Sequence, residues 1–281
     1  MPTFAAPDGT ARAYRVLGEG LGDPVVCLPG GPMRAGAYLG DLGGLAAHRP
    51  LVVLDLRGTG ESAELADPAT YRRDRQVADV EALREHLGAD RLEPLGHSAG
   101  ASLAVKYAAA HPRRVGRLAL ITPSARSLAL DPSPGERRLA IARRSAESWF
   151  LEVSGAYEAI AGRRATSADW AAVAPLYYGR WDDAAKAHHA TEAGQRNAKA
   201  APVYNSDGAF DPVRTRAELA RVTAPVLVLA GALDWITPSG VASAIAALFP
   251  GAVLEAQPGV SHYPWVDDPA VFTGNVANFL A

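Results

Sequence analysis

The sequence predicts an α/β fold: a mostly parallel β-sheet flanked by helices and interrupted by a helical insertion. Three observations carry this. Short apolar runs of strand length alternate with helix-forming stretches: PVVCL (24–28), LVVL (51–54), the run 115–121 and PVLVLAG (225–231). That alternation is the pattern of crossover units, in which helices cover both faces of parallel strands. One junction, Gly96-His97-Ser98-Ala99-Gly100, passes from a strand at 91–95 straight into a helix at 101–110. After Thr122-Pro123 the alternation stops, and it resumes only at Ala224-Pro225.

Composition narrows the function. With 48% apolar and 21% charged residues the chain can bury a substantial core. The net charge is −2 and no polybasic run stands out, so neither a nucleic-acid nor an acidic-membrane partner is expected. No apolar run approaches the ~20 residues that cross a bilayer, and the N-terminus lacks the apolar centre of a signal peptide. A soluble, cytoplasmic protein is the expectation. The single cysteine, Cys27, lies in an apolar run and reads as a packing residue.

The elements follow in order. A strand at 10–17 comes after an Asp8-Gly9 turn. The strand 24–28 ends in Pro29-Gly30-Gly31-Pro32, where paired glycines let the backbone approach a ligand. Residues 36–47 read as a weakly patterned helix. The strand 51–54 leads into Asp55-Leu56-Arg57-Gly58-Thr59-Gly60-Glu61-Ser62, expected to be pinned by its own Asp55–Arg57 pair. Residues 74–87 place Val77, Val80, Leu83 and Leu87 on one helical stripe. The core is assigned to 1–123 and 211–281, and a helical cap to 124–210, with helices at 136–153 and 169–178. The cap's aromatics, Trp149, Trp170 and Trp181 among them, suit a pocket lining or a small core of its own. A helix at 238–249, a strand at 252–256 and a helix at 269–280 close the chain.

The Gly-x-Ser-x-Gly junction puts Ser98 on a cramped strand-to-helix corner, with its hydroxyl raised above the sheet. A serine hydroxyl is a weak nucleophile near pH 7 and needs a base. In a parallel sheet the site lies outside the strands' carboxyl ends. His48, His86 and His111 precede strands and fall at the other edge. His97 should point away from Ser98, and His188 and His189 lie in the cap. His262 follows the last strand at the correct edge and is the candidate base. Asp234 follows a strand at that edge and is the candidate acid that orients it; Asp267 and Asp268 read as the start of the final helix. The N–H groups of Ala99 and Gly31 are the candidate oxyanion donors.

With these placements the chain resembles an α/β-hydrolase, and within that fold the proline iminopeptidase family. The residues are PGGP (29–32), DLRGTGES (55–62), GHSAG (96–100), GALD (231–234) and SHYPW (261–265). The order Ser98, Asp234, His262 is that of the α/β-hydrolase triad. The resemblance implies a helical cap, no cofactor, no metal, and release of an N-terminal aminoacyl group through an acyl-enzyme. Pro29 and Met33 stand where the family has His and Gly, and Trp235 follows Asp234 where some members carry a glutamate. If the substrate bears an ammonium, a cap carboxylate should pair with it; Asp207 is the first candidate and Glu192 the second, although Asn205-Ser206-Asp207-Gly208 also reads as a turn. The expected partner is a small-molecule or short-peptide substrate, as an amide. An esterase or lactonase with the same machinery, and a non-catalytic ligand receptor on the same fold, are the alternatives.

Overall fold

The computed structural model describes residues 1–19 and 22–281. Its sheet holds eight strands: β1 (Thr3–Ala5), β2 (Ala11–Leu17), β3 (Val25–Leu28), β4 (Leu51–Leu54), β5 (Glu93–His97), β6 (Leu118–Ile121), β7 (Val226–Gly231) and β8 (Val253–Gln257). Their spatial order is β1-β2-β4-β3-β5-β6-β7-β8. The first three in that order are antiparallel neighbours, and every pairing from β4 to β8 is parallel. The helices are α1 (Arg73–His86), α2 (Ala99–Ala110), α3 (Pro134–Ala142), α4 (Phe150–Ala161), α5 (Ser167–Ala172), α6 (Asp183–Ala190), α7 (Glu192–Gln195), α8 (Ala200–Tyr204), α9 (Pro212–Leu219), α10 (Ser239–Ala246), α11 (Pro264–Asp267) and α12 (Pro269–Leu280).

Strand side chains alternate between faces, so two cores form. Val26, Leu28, Val52, Leu54, Leu120 and Val228 pack with residues of α1, α2 and α10 on one face. Val25, Cys27, Val53, Leu95, Ile121 and Leu229 pack with Leu39, Leu42, Phe272 and Val276 on the other. Cys27 is fully buried, and desolvation pushes its thiol far above the ordinary range. It is packing, not chemistry.

Three local readings are corrected. Residues 36–47 form two short 3-10 turns, Gly36–Leu39 and Leu45–Ala47, rather than one helix. Gly40, Gly43 and Gly44 between them take positive φ, which ends a right-handed helix. The stretch 136–153 splits into α3 and α4, because Arg144 turns inward between them. Its buried guanidinium donates to the carbonyls of Tyr178 (2.8 Å) and Gly179 (3.0 Å). Asp55 and Arg57 do not pair with each other. Arg57 grips Asp79 of α1 through two 2.6 Å bonds and reaches Asp8 at 2.7 Å. Asp55 accepts instead from the N–H groups of Gly36 (2.7 Å) and Glu61 (3.2 Å).

Between β6 and β7 the described chain is helical, with α3 to α8 forming a cap over the sheet's carboxyl edge. The parallel strands deliver the loops after Leu28, His97, Ile121, Gly231 and Gln257 to that same edge. Among the described residues no helix is long and apolar enough to cross a membrane.

Gly100 tests the close packing beneath the serine corner. A Cβ there would overlap the Leu28 carbonyl oxygen and lie 2.6 Å from that of Pro29. Backbone cannot yield cheaply, so Gly100→Ala should cost at least about 3 kcal/mol in urea unfolding, at or above the upper end of ordinary overpacking. Gly155, on the exposed side of α4, has nothing within 4 Å of its added Cβ. Gly155→Ala should therefore stabilise by roughly 0.5–1 kcal/mol. Equal effects from the two would refute this packing.

Candidate active site

Ser98 joins β5 to α2 with φ 52° and ψ −115°. A non-glycine residue held there carries roughly 1–3 kcal/mol of strain. The neighbours hold it: its N–H donates to Ile121 O (3.0 Å), and its carbonyl accepts from the N–H groups of Ala101 and Ser124 (both 3.1 Å). A Cβ on Gly96 would fall 2.5 Å from Ala101 Cα, so only glycine lets the strand and helix cross so closely. Gly30 passes as near on the other side; a Cβ there would sit 2.7 Å from His97 O and 3.2 Å from Ala99 N. Gly31 follows at φ 114°. Among the described residues, neither the Gly31 nor the Ala99 N–H donates a hydrogen bond.

His262 and Asp234 are brought together. His262 Nδ1 lies 2.8 Å from Asp234 Oδ2, and both side chains are buried. Asp234 Oδ1 accepts from the N–H groups of Ile236 (2.8 Å) and Thr237 (3.3 Å), so the carboxylate is fixed before it meets the ring. Nδ1–H donation to Asp234 leaves Nε2 as a proton acceptor. The His262 peptide is clamped on both sides. Its N–H donates to Tyr177 O of the cap (3.0 Å), and its carbonyl accepts from Thr122 Oγ1 and His97 Nε2, each at 2.9 Å.

His97 turns away from Ser98, as its position predicts, and its tautomer follows from its partners. A carbonyl can only accept, so Nε2 carries the proton. Nδ1 then accepts from the Tyr38 hydroxyl (2.6 Å), which itself accepts the Gly30 N–H (2.7 Å). Burial, and then the neighbouring His262, push the His97 ring well below the usual histidine range, which keeps it neutral. Arg34, almost fully buried, stacks on Tyr38 at 4.4 Å and donates to Gln195 Oε1 (2.9 Å) and Thr191 Oγ1 (2.8 Å) in the cap. It ties the glycine loop to the cap. Nothing in the sequence pattern singled out Tyr38, Arg34 or Thr122, because each acts through long-range contacts.

Gly31, Ser98, Ala99 and His262 line one cavity of about 900 Å³ beneath the cap. Tyr157, Trp170, Tyr177 and Trp235 line it as well. Tyr157 and Trp235 also belong to a packed cluster with Val153, Val173 and Leu176, so the cap's aromatics serve both as lining and as core. Asp207 is not on the cavity wall. It is an exposed turn residue beside Gly208 at φ 82°, and its backbone carbonyl accepts from Arg72 (3.2 Å). The turn-forming side chains of this segment prevail over the proposed amine contact. Glu192 does line the cavity, 3.3 Å from Arg196 Nη1. His188 is held by Tyr178 OH (2.8 Å) and Tyr38 O (3.0 Å), a structural tie.

With this geometry in place, a family model described as alpha/beta hydrolase fold matches residues 23–269. The chain belongs to the alpha/beta hydrolase fold family. A proline iminopeptidase of Heyndrickxia coagulans is 35% identical over 105 residues, 37% of this chain and 36% of that protein, so the match spans about a third of that relative. The crystal structure of a Mycobacterium smegmatis proline iminopeptidase superposes with a TM-score of 0.78 at 24% identity, covering 99% of this chain and 97% of that one. An esterase from Rhodococcus sp. ECU1013 superposes at 0.73 with 25% identity, over 99% and 98%. This alpha/beta hydrolase thus resembles proteins named as proline iminopeptidases and one named as an esterase.

Asp268 caps α12 by accepting the Val271 N–H (3.2 Å), as the sequence suggests, but Asp267 does not. It is buried in α11 and accepts the Ser261 N–H (2.8 Å), bracing the loop that carries His262. Burial pushes its carboxyl from 3.8 up to about 6. A raised carboxyl favours folding while protonated. Its contribution is therefore full below about pH 3.8 and lost as pH rises through about 6. Asp267→Asn keeps an acceptor without the charge. Wild type should lose about 2–3 kcal/mol relative to this variant between pH 4 and 7; parallel stability curves would refute the assignment.

Proposed function

We propose that this alpha/beta hydrolase is a serine hydrolase that works through an acyl-enzyme on Ser98. Ser98 Oγ attacks the substrate carbonyl and passes its proton to His262 Nε2. Asp234 stabilises the resulting imidazolium. The tetrahedral oxyanion takes hydrogen bonds from the Gly31 and Ala99 N–H groups. His262 then protonates the leaving group, and a water activated by the same ring releases the acyl group. One observation carries this reading: a strained, left-handed serine shares a cavity with an Asp234-held histidine and two N–H groups that have no partner among the described residues.

For the substrate, an N-terminal aminoacyl group of a peptide or small amide is the reading that the 35% identical proline iminopeptidase supports. Glu192 is then the amine's partner, since Asp207 lies outside the cavity. Esters or lactones are the second reading. The observation that favours them is Glu192's existing pair with Arg196, which leaves its charge partly spent. A ligand receptor on the same fold would bind these compounds and turn over far more slowly.

Labelling with a fluorophosphonate should modify Ser98 once and vanish in Ser98→Ala, with turnover falling roughly 10⁴-fold or more. Adding His262→Ala to Ser98→Ala should worsen it scarcely further, because the two act as a unit. Multiplying losses would show that His262 is not the base for Ser98.

The substrate readings separate on a free aminoacyl amide and its N-acetylated twin. The aminopeptidase reading requires at least ~10-fold preference for the free amine, as a charge-assisted contact is worth roughly 1.5–3 kcal/mol, and that preference should shrink in Glu192→Gln. Equal rates on both amides would leave the ester reading.

A further inference from the structure

The main cavity does not end beneath the cap. Pro32, Arg126, Arg196 and Asn205 line both it and an adjoining groove of about 520 Å³, which Ala198, Ala201 and Pro202 complete. Pro32, one of the shared residues, directly follows the proposed oxyanion donor Gly31 in the chain.

The charges around the groove are one-sided. None of the groove's lining residues is acidic. The Arg126 side chain forms no hydrogen bond or ion pair among the described residues, and Arg196 has only its 3.3 Å contact to Glu192. Asn205 adds an amide. Arg137, on the main cavity's wall, has no ion-pair partner among the described residues and lies over the Trp235 ring at 5.7 Å. Asp131 is the one other carboxylate on that wall, and it does not line the groove. Two guanidiniums at one mouth, with planar donor forks and no competing acid in the groove, suit a planar anion.

We propose that the groove is a subsite for a substrate carboxylate, held by Arg126 and Arg196 with Asn205. The substrate of the Ser98 site is then an acyl compound carrying a carboxylate a short way from the scissile bond, such as the C-terminal carboxylate of a di- or tripeptide or the free acid of a half-ester. This rests on the proposed serine hydrolase reading, and it names the substrate class for that site.

The test uses matched pairs. On the leaving-group side, the acetate ester of 4-hydroxybenzoate is compared with that of 4-hydroxybenzamide. On the acyl side, a mono-aryl glutarate is compared with the aryl pentanoate. Wild type should favour the charged member of one pair by about fivefold or more in kcat/KM, a modest ratio because the arginines are solvent-accessible. The ratio should fall towards one in Arg126→Gln and in Arg196→Gln, and on going from 50 to 500 mM KCl. Which pair responds tells which side of the carbonyl occupies the groove. A ratio near one for both pairs, or a ratio untouched by both substitutions, overturns the proposal. Calorimetry of 4-phenylbutyrate against 4-phenylbutyramide in Ser98→Ala reads the subsite without turnover. Preferential binding of the acid, lost in the Ser98→Ala/Arg126→Gln double variant, supports the subsite even if no ester is cleaved. Equal binding of the two, or an acid preference that survives Arg126→Gln, refutes it.

Discussion

β5 can run into α2 only if three backbones almost touch, and the rest of the site is arranged around that approach. Gly96 lets the strand lie against Ala101 of the helix it becomes, and Gly100 lets the helix's first turn press on Leu28 at the end of β3 and on Pro29 after it. Gly30 then passes the elbow from the β3 side. With no Cβ at these positions, Ser98 is forced into a left-handed backbone and its carbonyl and N–H are consumed by neighbours. Among the described residues, the Ala99 N–H and the Gly31 N–H are left unpaired by this packing. The strain at Ser98 and the free donors beside it are two consequences of one crossing.

His262 is placed by a different device. Its loop leaves β8, a sheet edge strand whose side chains are largely exposed, so packing alone holds it weakly. The position is set by hydrogen bonds to its peptide from three elements: Tyr177 of the cap, Thr122 after β6 and His97 at the end of β5. His97 also connects, through Tyr38, to the Gly30 N–H. A neutral, fully buried imidazole therefore spans the glycine loop and the histidine loop. Buried polar chains are demanding, because each unmade bond costs the desolvation of its group. Here every link has a partner, and the chain acts as a strut of fixed length between the two halves of the site.

The cap is bound to the same strut. Arg34 stacks on Tyr38 and reaches into α7 and its preceding turn, and His188 of α6 donates from Nε2 to Tyr38 O while its Nδ1 accepts from the Tyr178 hydroxyl. Cap placement and loop placement are in this way mechanically joined. The aromatic wall of the cavity comes from the cap's own core, where Tyr157 and Tyr177 meet Trp235 edge-on at 5.8 and 5.6 Å. Trp235 is a core-loop residue immersed in the cap, so the position after Asp234 forms an apolar joint between cap and sheet.

Much of this was legible in the chain. Short continuous apolar runs and their alternation with helix-forming stretches pointed to the parallel sheet, since strands covered on both faces are apolar throughout. The spacing of glycines around Ser98, and the positions of Asp234 and His262 just after strands, determined which residues reach the carboxyl edge, because parallel topology sends every such loop to one side. Contacts between side chains far apart in sequence were decided only by the tertiary structure. Arg57 pairs with Asp79 and not with Asp55, because α1 packs a carboxylate against it at closer range than its own loop can. Residues 36–47 yielded to three left-handed glycines whose conformations no local pattern reports. Asp207 stands in a turn outside the cavity while Glu192, in a four-residue helix, faces into it. Local propensity and strand order act over a few residues and can be read from them; the direction in which a cap side chain points depends on how separate helices pack, and that is settled only when the chain has folded.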